Sequence, residues 1–499
     1  MRIGIVTSKN AEPLIKSVIE HLDPEIVEKI DIKIITLPIP AISHLDTSTL
    51  ARLLVLQKDK LKDIDMLLIP GLCRGSAHII DEATGVTAYK ASKDPGLLPE
   101  VLRLIHNGER LSKEYPVEDY YSNLQSIQRP TQTAFKIRQL DIPLRGPPLL
   151  IAAEIPPLLN EHQSSMLAER YIEEGADIII VGSSNFESLE LFSKRIDIAL
   201  DTGKPVLCEA GSRKAFRIGL DKGCEGFSLS SDQILGGGIS SISELTDKVI
   251  IVGDRDLSKL IQAVRILEEH GVKKNIVDPV VGLPMIDFTE TFYRYRRASS
   301  LGYPMLFSAA NVLEELSADT YAVQGLLMTI AAELGASVYL VVESSYKSIH
   351  TVAEAREASK LVTKAFLKKT TPRDPFTRLL VIKQENHPPK IRLEESSKGG
   401  IVDAPEYLEP EMDKGYFIIY VDHEAGQIIV VYREGSKTIA WRSRGARGLF
   451  RTITRSLDIS REHAAYLGYE LAKAQLALET GRSYIQDKPL FNYPWRVQY

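Results

Sequence analysis

Between Pro148 and about Leu367 the chain alternates eight times between a short apolar run and a segment of helical period. The runs are PLLIAAEI ending at Ile155, DIIIVG from Asp177, PVLCE from Pro205, GFSLS from Gly226, VIIVGD from Val249, NIVDP from Asn275, PMLFS from Pro304 and VYLVVE from Val338. Valine, isoleucine and leucine dominate them without strict alternation, which is the pattern of parallel strands buried on both faces. The segments between, such as His162–Glu174, Leu257–His270 and Tyr321–Leu334, predict helices closed by Gly175, Gly271 and Gly335. Eight such units within about 220 residues predict a complete (β/α)8 barrel.

A barrel of this kind places its chemistry at the carboxyl ends of its strands. Those ends carry Glu154, Gly182 with Ser183–Asn185, Glu209, Ser228 with Ser230, Asp254, Asp278, Ser308 with Asn311, and Glu343. Converging carboxylates can hold a divalent metal, form an acid/base set, or accept hydrogen bonds from a ligand rich in N–H groups. No histidine stands among them, which argues against zinc or iron. Capping of the next helix, or pairing with a nearby Lys or Arg, is the competing role, and it weighs most for Asp254 and Glu343.

The barrel fills less than half of the 499 residues, so further domains are expected. Residues 1–140 open with RIGIVTS, a helical stretch from Glu12 to His21, DIKIITL and DMLLIPG, the order of an open α/β layer. The loop Pro70–Gly75 (PGLCRG) lacks the P-loop and dinucleotide spacings and reads as a tight turn with Arg74 exposed. The barrel is expected over residues 146–370, and a linker with a small α+β domain over residues 371–499. In that last part Lys368–Asp374 and Glu385–Gly415 read as linker, and Phe376–Lys383 as a lone strand. YFIIYVD and QIIVVYR form a hairpin, and His463–Gly481 a closing helix. Arg442, Arg444, Arg447, Arg451 and Arg455 cluster before that helix, either as an anion site or as a solvated face.

A formal net charge of −5 argues against a nucleic-acid footprint, and no apolar run has the length of a membrane span. Cys73, Cys208 and Cys224 lie far apart without metal spacing, so no pairing is expected and a reduced, cytoplasmic chain is the simplest reading.

The stretches GADIIIVG (Gly175–Gly182) and IVDPVVG (Ile276–Gly282) resemble the second and sixth strands of the pterin-binding TIM-barrel family. That family includes dihydropteroate synthases and pterin-dependent corrinoid methyltransferases. Taken whole, with PGLCRG, Ala153-Glu154 and Asn311-Val312, the chain resembles the archaeal dihydropteroate synthase-related proteins. Their carboxyl-terminal domain resembles part of a tetrahydromethanopterin methyltransferase subunit.

The resemblance implies a pterin substrate whose N–H edge meets Asp278. Glu209 stands in the place of the family's third-strand aspartate and Ser228 in that of its fourth-strand asparagine. Ser308 or Asn311 completes the floor, Asn185 stands near the substrate, and Met305 and Phe307 point inward. Glu154 would help hold Mg2+.

The implied reaction joins a pterin diphosphate to an arylamine, a transferase step of archaeal modified-folate (methanopterin-type) biosynthesis. Pterin-dependent methyl transfer with a corrinoid, using His423 or His463 on cobalt, and non-catalytic pterin binding are the alternatives.

The chain departs from the synthases in its cations. Ser212-Arg213-Lys214 follows the third strand rather than the seventh, and the arginine after the second strand is missing. Glu343-Ser344-Ser345 replaces the final histidine and arginine. Arg213, Lys214 or Lys347 is then left to clamp the diphosphate. A homodimer is expected through Tyr321–Met328.

Overall fold

The structure, a computed structural model, describes residues 1–20, 22, 24–42, 45–121, 132–209, 211–237, 242–368, 370–374, 377–382 and 414–491. Two compact units divide the chain: Met1–Glu343 with His350–Ser397, and Ser344–Ile349 with Lys398–Tyr499.

The first unit opens with four parallel strands, β1 (Arg2–Ser8), β2 (Asp31–Leu37), β3 (Met66–Ile69) and β4 (Thr87–Lys90), in the order β2-β1-β3-β4. Helices cover both faces and build two apolar clusters, one around Ile5, Ile15 and Leu98, the other around Ile35, Leu50 and Ile69. The Pro70–Cys73 turn closes through the Cys73 N–H on the Pro70 carbonyl (3.1 Å), with Arg74 exposed beside it.

A hairpin, β5 (Thr133–Ile137) and β6 (Leu140–Pro143), precedes the barrel. The barrel strands are β7 (Leu150–Ile155), β8 (Ile178–Val181), β9 (Val206–Glu209), β10 (Gly226–Ser230), β11 (Val249–Gly253), β12 (Lys274–Asp278), β13 (Leu306–Ser308) and β14 (Val338–Val342). They form one parallel sheet in the order β12-β11-β10-β9-β8-β7-β14-β13. A parallel bridge between Val277 and Met305, with the Val277 N–H on the Pro304 carbonyl (2.9 Å), closes the ring. Helices follow the strands, and their ends obey local chemistry. Asn160 and Gln163 form a capping box ahead of Glu161–Glu174, and Gly175 ends that helix at φ 97°.

Side-chain parity decides what reaches the mouth. Ala152, Ile178, Ile180, Leu207, Val249, Ile251, Ile276, Leu306 and Val338 fill the interior, while Ile137 and Ile142 of the hairpin pack beneath them. Neighbours of opposite parity, such as Ala153, Ile179, Cys208, Phe227 and Val277, pack against the helices. Met305 and Phe307 belong to this outer set, which corrects the inward placement expected for them. Leu306 and Ser308 take the inward positions of β13, and a strand turns alternate residues to opposite faces.

The cysteines also depart from expectation. Cys208 lies in β9, Cys224 precedes the neighbouring β10, and the pair is joined as a disulfide with Cα atoms 6.6 Å apart, while Cys73 is free and buried. Adjacency of parallel strands brings together residues separated by 16 positions. Protein purified without reductant and then unfolded should therefore show one reactive thiol by alkylation and mass spectrometry, rising to three after reduction; three at the outset would refute the pairing.

Much of the segment Tyr321–Met328 faces its own barrel: Leu327 and Met328 are buried and Leu326 is exposed. The lone strand expected at Phe376–Lys383 is not formed over residues 377–382, and its two end residues lie outside those described, as does most of the expected linker. Among the described residues no helix is long and apolar enough to cross a membrane.

In the second unit β15 (Tyr416–Asp422), β16 (Gln427–Glu434) and β17 (Lys437–Ser443) form an antiparallel meander. The helices Ala446–Ser456 and Arg461–Thr480 bury Leu449, Ile453, Leu467 and Leu471 against it. The expected hairpin has a third strand, and Arg442 lies in it rather than on a helix.

Candidate functional site at the barrel mouth

Continuing the interior parity upward places Glu154, Glu209, Ser228, Asp278 and Ser308 at the inner rim of the mouth. Gly182 and Gly253 share that parity and leave room beside the acids. A Cβ on Gly182 would overlap Glu154 Oε1, and one on Gly253 would sit 3.9 Å from Asp278 Oδ2.

Asp278 is held by one oxygen. Its Oδ1 accepts the Val280 N–H at 2.9 Å and is reached by the Tyr295 hydroxyl at 3.2 Å. Oδ2 has no hydrogen-bond partner among the described residues. Burial lifts the carboxyl from 3.8 to about 6, against the lowering effect of those two donors and of Arg294. Val280 sits at φ 58°, an unfavourable conformation for a β-branched residue. Arg294 fixes it by donating to the carbonyls of Pro279 (3.0 Å) and Val280 (2.8 Å).

Glu154 is raised from 4.5 to about 7 by burial and by the neighbouring Glu209, with Arg195 opposing. Burial also raises Glu209, while the Ser183 N–H (3.4 Å) lowers it. Arg195, wholly buried on the helix Leu189–Asp201, sets the loops behind this pair. It donates to the carbonyls of Ile155, Pro156 and Gly182 and pairs with buried Glu187.

The sign of the Glu154 shift gives a test. Its folded-state value lies above its unfolded one, so its stabilising contribution is complete below about 4.5 and is lost as pH rises through about 7. A Glu154→Gln variant should match wild type at pH 4.5 and exceed it by roughly 1–3 kcal/mol at pH 8 in urea unfolding. An equal difference at both pH values would show that Glu154 is not held protonated by its surroundings.

Not every expected site residue opens into the mouth. Ser308 Oγ contacts Asn311 Oδ1 (3.5 Å) and Asn311 Nδ2 donates to Val281 (2.8 Å), so Asn311 ties two loops together. Asn185 lies outside the ring, lining a cavity of about 190 Å3 with Ser183, Ser184 and Lys214. Ser230 caps the helix Ser231–Leu235. Asp254 accepts the Asp256 N–H in its own loop (2.8 Å). Glu343 faces outward, paired with Arg170 and accepting the His350 N–H (2.9 Å).

Arg213 reaches the Gly237 carbonyl (2.9 Å), whereas Lys214, exposed, has no ion-pair partner among the described residues. No group of three or more His, Cys, Asp and Glu suited to a metal occurs among the described residues. Two carboxylates are nevertheless a donor set for Mg2+ when a substrate phosphate supplies further oxygens.

Sequence reading missed Arg195, Glu187, Arg294 and Tyr295. The signal was present as charge on an apolar helix stripe: Phe192, Arg195, Ile196 and Ala199, and again Thr291, Arg294, Tyr295 and Ala298.

Residues 411–487 match the family model described as PterinBD-DUF4346. An uncharacterized protein of Methanocaldococcus jannaschii is 25% identical over 98% of this chain and 99% of its own length. Among solved structures, dihydropteroate synthase from Xanthomonas albilineans in complex with 7,8-dihydropteroate is 18% identical, with a TM-score of 0.38 over 44% of this chain and 93% of that one. The dihydropteroate synthase from Thermus thermophilus in complex with 6HMPPP is 18% identical, with a TM-score of 0.38 over 48% and 100%. N-acetylneuraminic acid synthetase from Leptospira borgpetersenii scores the same 0.38 at 13% identity, over 48% and 91%. These values add nothing to the strand order, which establishes the barrel by itself.

Proposed function

We propose that the mouth binds a reduced pterin and that the chain is a dihydropteroate synthase-like transferase. It would join a pterin diphosphate to an arylamine in archaeal modified-folate (methanopterin-type) biosynthesis, in the cytoplasm. The observation that carries this reading is the ring of three inward carboxylates on an apolar barrel, with Asp278 anchored by one oxygen and open at the other. An edge of ring N–H and amino donors needs such acceptors in a site otherwise dry.

In the reaction the arylamine nitrogen attacks the pterin methylene carbon, the C–O bond to the diphosphate breaks, and the nitrogen then sheds a proton. Asp278 would hold the pterin edge. Glu154 and Glu209 fit Mg2+ in kind, because a cation relieves the repulsion between them, and Mg2+ would supply charge neutralisation for the leaving diphosphate. Lys214, exposed beside Ser183 and Ser184 in the loop after β8, would supply the cation for the leaving diphosphate.

Support for corrinoid methyl transfer is weaker. His423 Nε2 is bonded to the Arg482 carbonyl (3.0 Å), and the His463 ring packs on Phe417 with centroids 4.7 Å apart.

Calorimetric titration with 7,8-dihydropterin diphosphate, with and without Mg2+, tests the binding half, and pyrophosphate release on adding p-aminobenzoate or its ribofuranosyl phosphate derivative tests the transfer. The expected result is binding strengthened by Mg2+, followed by release. Failure to bind in either condition would remove the pterin reading, and binding without release would leave a non-catalytic pterin protein.

A further inference from the structure

The amino-terminal sheet has its own opening, independent of the barrel. β1 pairs with β2 as far as Ser8 and Leu37, but with β3 only as far as Ile5 and Leu68. Beyond those residues β1 and β3 part at their carboxyl ends. Since β2 lies on one side of β1 and β3 on the other, the parting falls at the point where strand order reverses, the place where open α/β sheets receive ligands.

A cavity of about 370 Å3 occupies this crevice, a volume within the range of small-molecule sites. One wall comes from Leu14, Ile15 and Leu98, the other from Ile42, Ile69 and Leu72, with prolines at the rim. The two apolar walls form a slot suited to a flat ring.

Its floor is polar. Thr7 and Ser8 are buried, being 3% and 2% exposed, and both line the cavity. Neither hydroxyl has a hydrogen-bond partner among the described residues. Both hydroxyls are thus left open to the cavity, where they can donate to or accept from a polar edge of a bound ring.

Charge is absent in net terms. Lys93 and Asp94 are the charged residues of the lining; Lys93 pairs with Asp119 (2.7 Å), and Asp94 caps the Gly96 N–H (2.8 Å). The adjoining helix Glu12–Glu20 carries Glu12 and Pro13 in its first turn, which disfavours an anion there. We propose that this crevice is a second small-molecule site, taking an uncharged heterocyclic ligand of nucleoside size.

The test uses the full chain with adenosine, guanosine and uridine as probes and AMP as the charged counterpart, read by saturation-transfer NMR and calorimetry. Ala41, exposed and on the lining, offers a plug as Ala41→Trp, with its melting temperature as the folding control. The expected result is binding of at least one nucleoside, at least tenfold weaker binding of its phosphate, and loss in Ala41→Trp with melting unchanged. Binding should persist in Asp278→Asn, which separates this site from the barrel mouth. Three results would overturn the proposal: no nucleoside binding to folded wild type, binding that survives Ala41→Trp, or AMP bound as tightly as adenosine.

Discussion

An Asp278→Asn variant is expected to bind 7,8-dihydropterin diphosphate at least about 100-fold more weakly than wild type. Two charge-assisted hydrogen bonds, at roughly 1.5–3 kcal/mol each, set that scale. Asparagine fits the space, but with its oxygen kept on Val280 it turns an N–H group toward the ligand's own donors. The pH profile adds a signature that simple misfolding would not give. Because acceptance requires the carboxylate, wild-type affinity should rise as pH increases through about 6 and then level off, and the variant should lack that step. Stability runs the opposite way: with its folded-state value raised, Asp278 stabilises the empty protein most below 3.8 and loses that contribution as pH passes about 6. Asn should therefore make the unliganded chain more resistant to urea at pH 8 while abolishing its affinity. Unchanged binding in the variant would dissociate Asp278 from the ligand.

The largest stability effect is expected at Arg195. Removing it as Arg195→Ala leaves the Glu187 carboxylate buried at 1% exposure without its cation, and strips three carbonyls of a donor. Breaking a buried pair from one side typically costs about 3–5 kcal/mol. Urea unfolding should show that loss, and Arg195→Lys should recover little of it, because a single ammonium cannot reproduce the planar fork. Replacing both partners, Arg195→Met with Glu187→Leu, should cost much less than Arg195→Ala alone. A single-variant loss below about 1 kcal/mol would mean that the loops after β7 and β8 are set by something else.

The barrel was legible because its period changes sharply between strand and helix, and those changes survive an error of a residue or two at each boundary. Facing was less secure. A shift of one residue exchanges inside for outside: Ser308 reaches the mouth as expected, whereas Met305 and Phe307, expected to face inward, pack against the helices and Leu306 takes the inward position.

The hairpin of β5 and β6 escaped notice for a different reason. Its turn places Arg138 at φ 52° where glycine or asparagine usually advertises such a bend, and Arg138 is held there by Glu225 and the Gly203 carbonyl. The buried cations were hidden because a charged residue on a helix stripe looks like a surface residue until its partners, distant in sequence, are known. Pairing of Cys208 with Cys224 likewise depends on strand adjacency, which spacing alone does not disclose.

That hairpin has a bearing on the order of events. With Ile137 and Ile142 packed under the amino end and side chains filling the interior above them, the barrel can be entered only from its carboxyl mouth. Whatever rests nearest the floor has to arrive first and depart last, so a two-substrate reaction here should follow a compulsory sequence, with the second reactant unable to occupy a productive place until the first is seated beneath it.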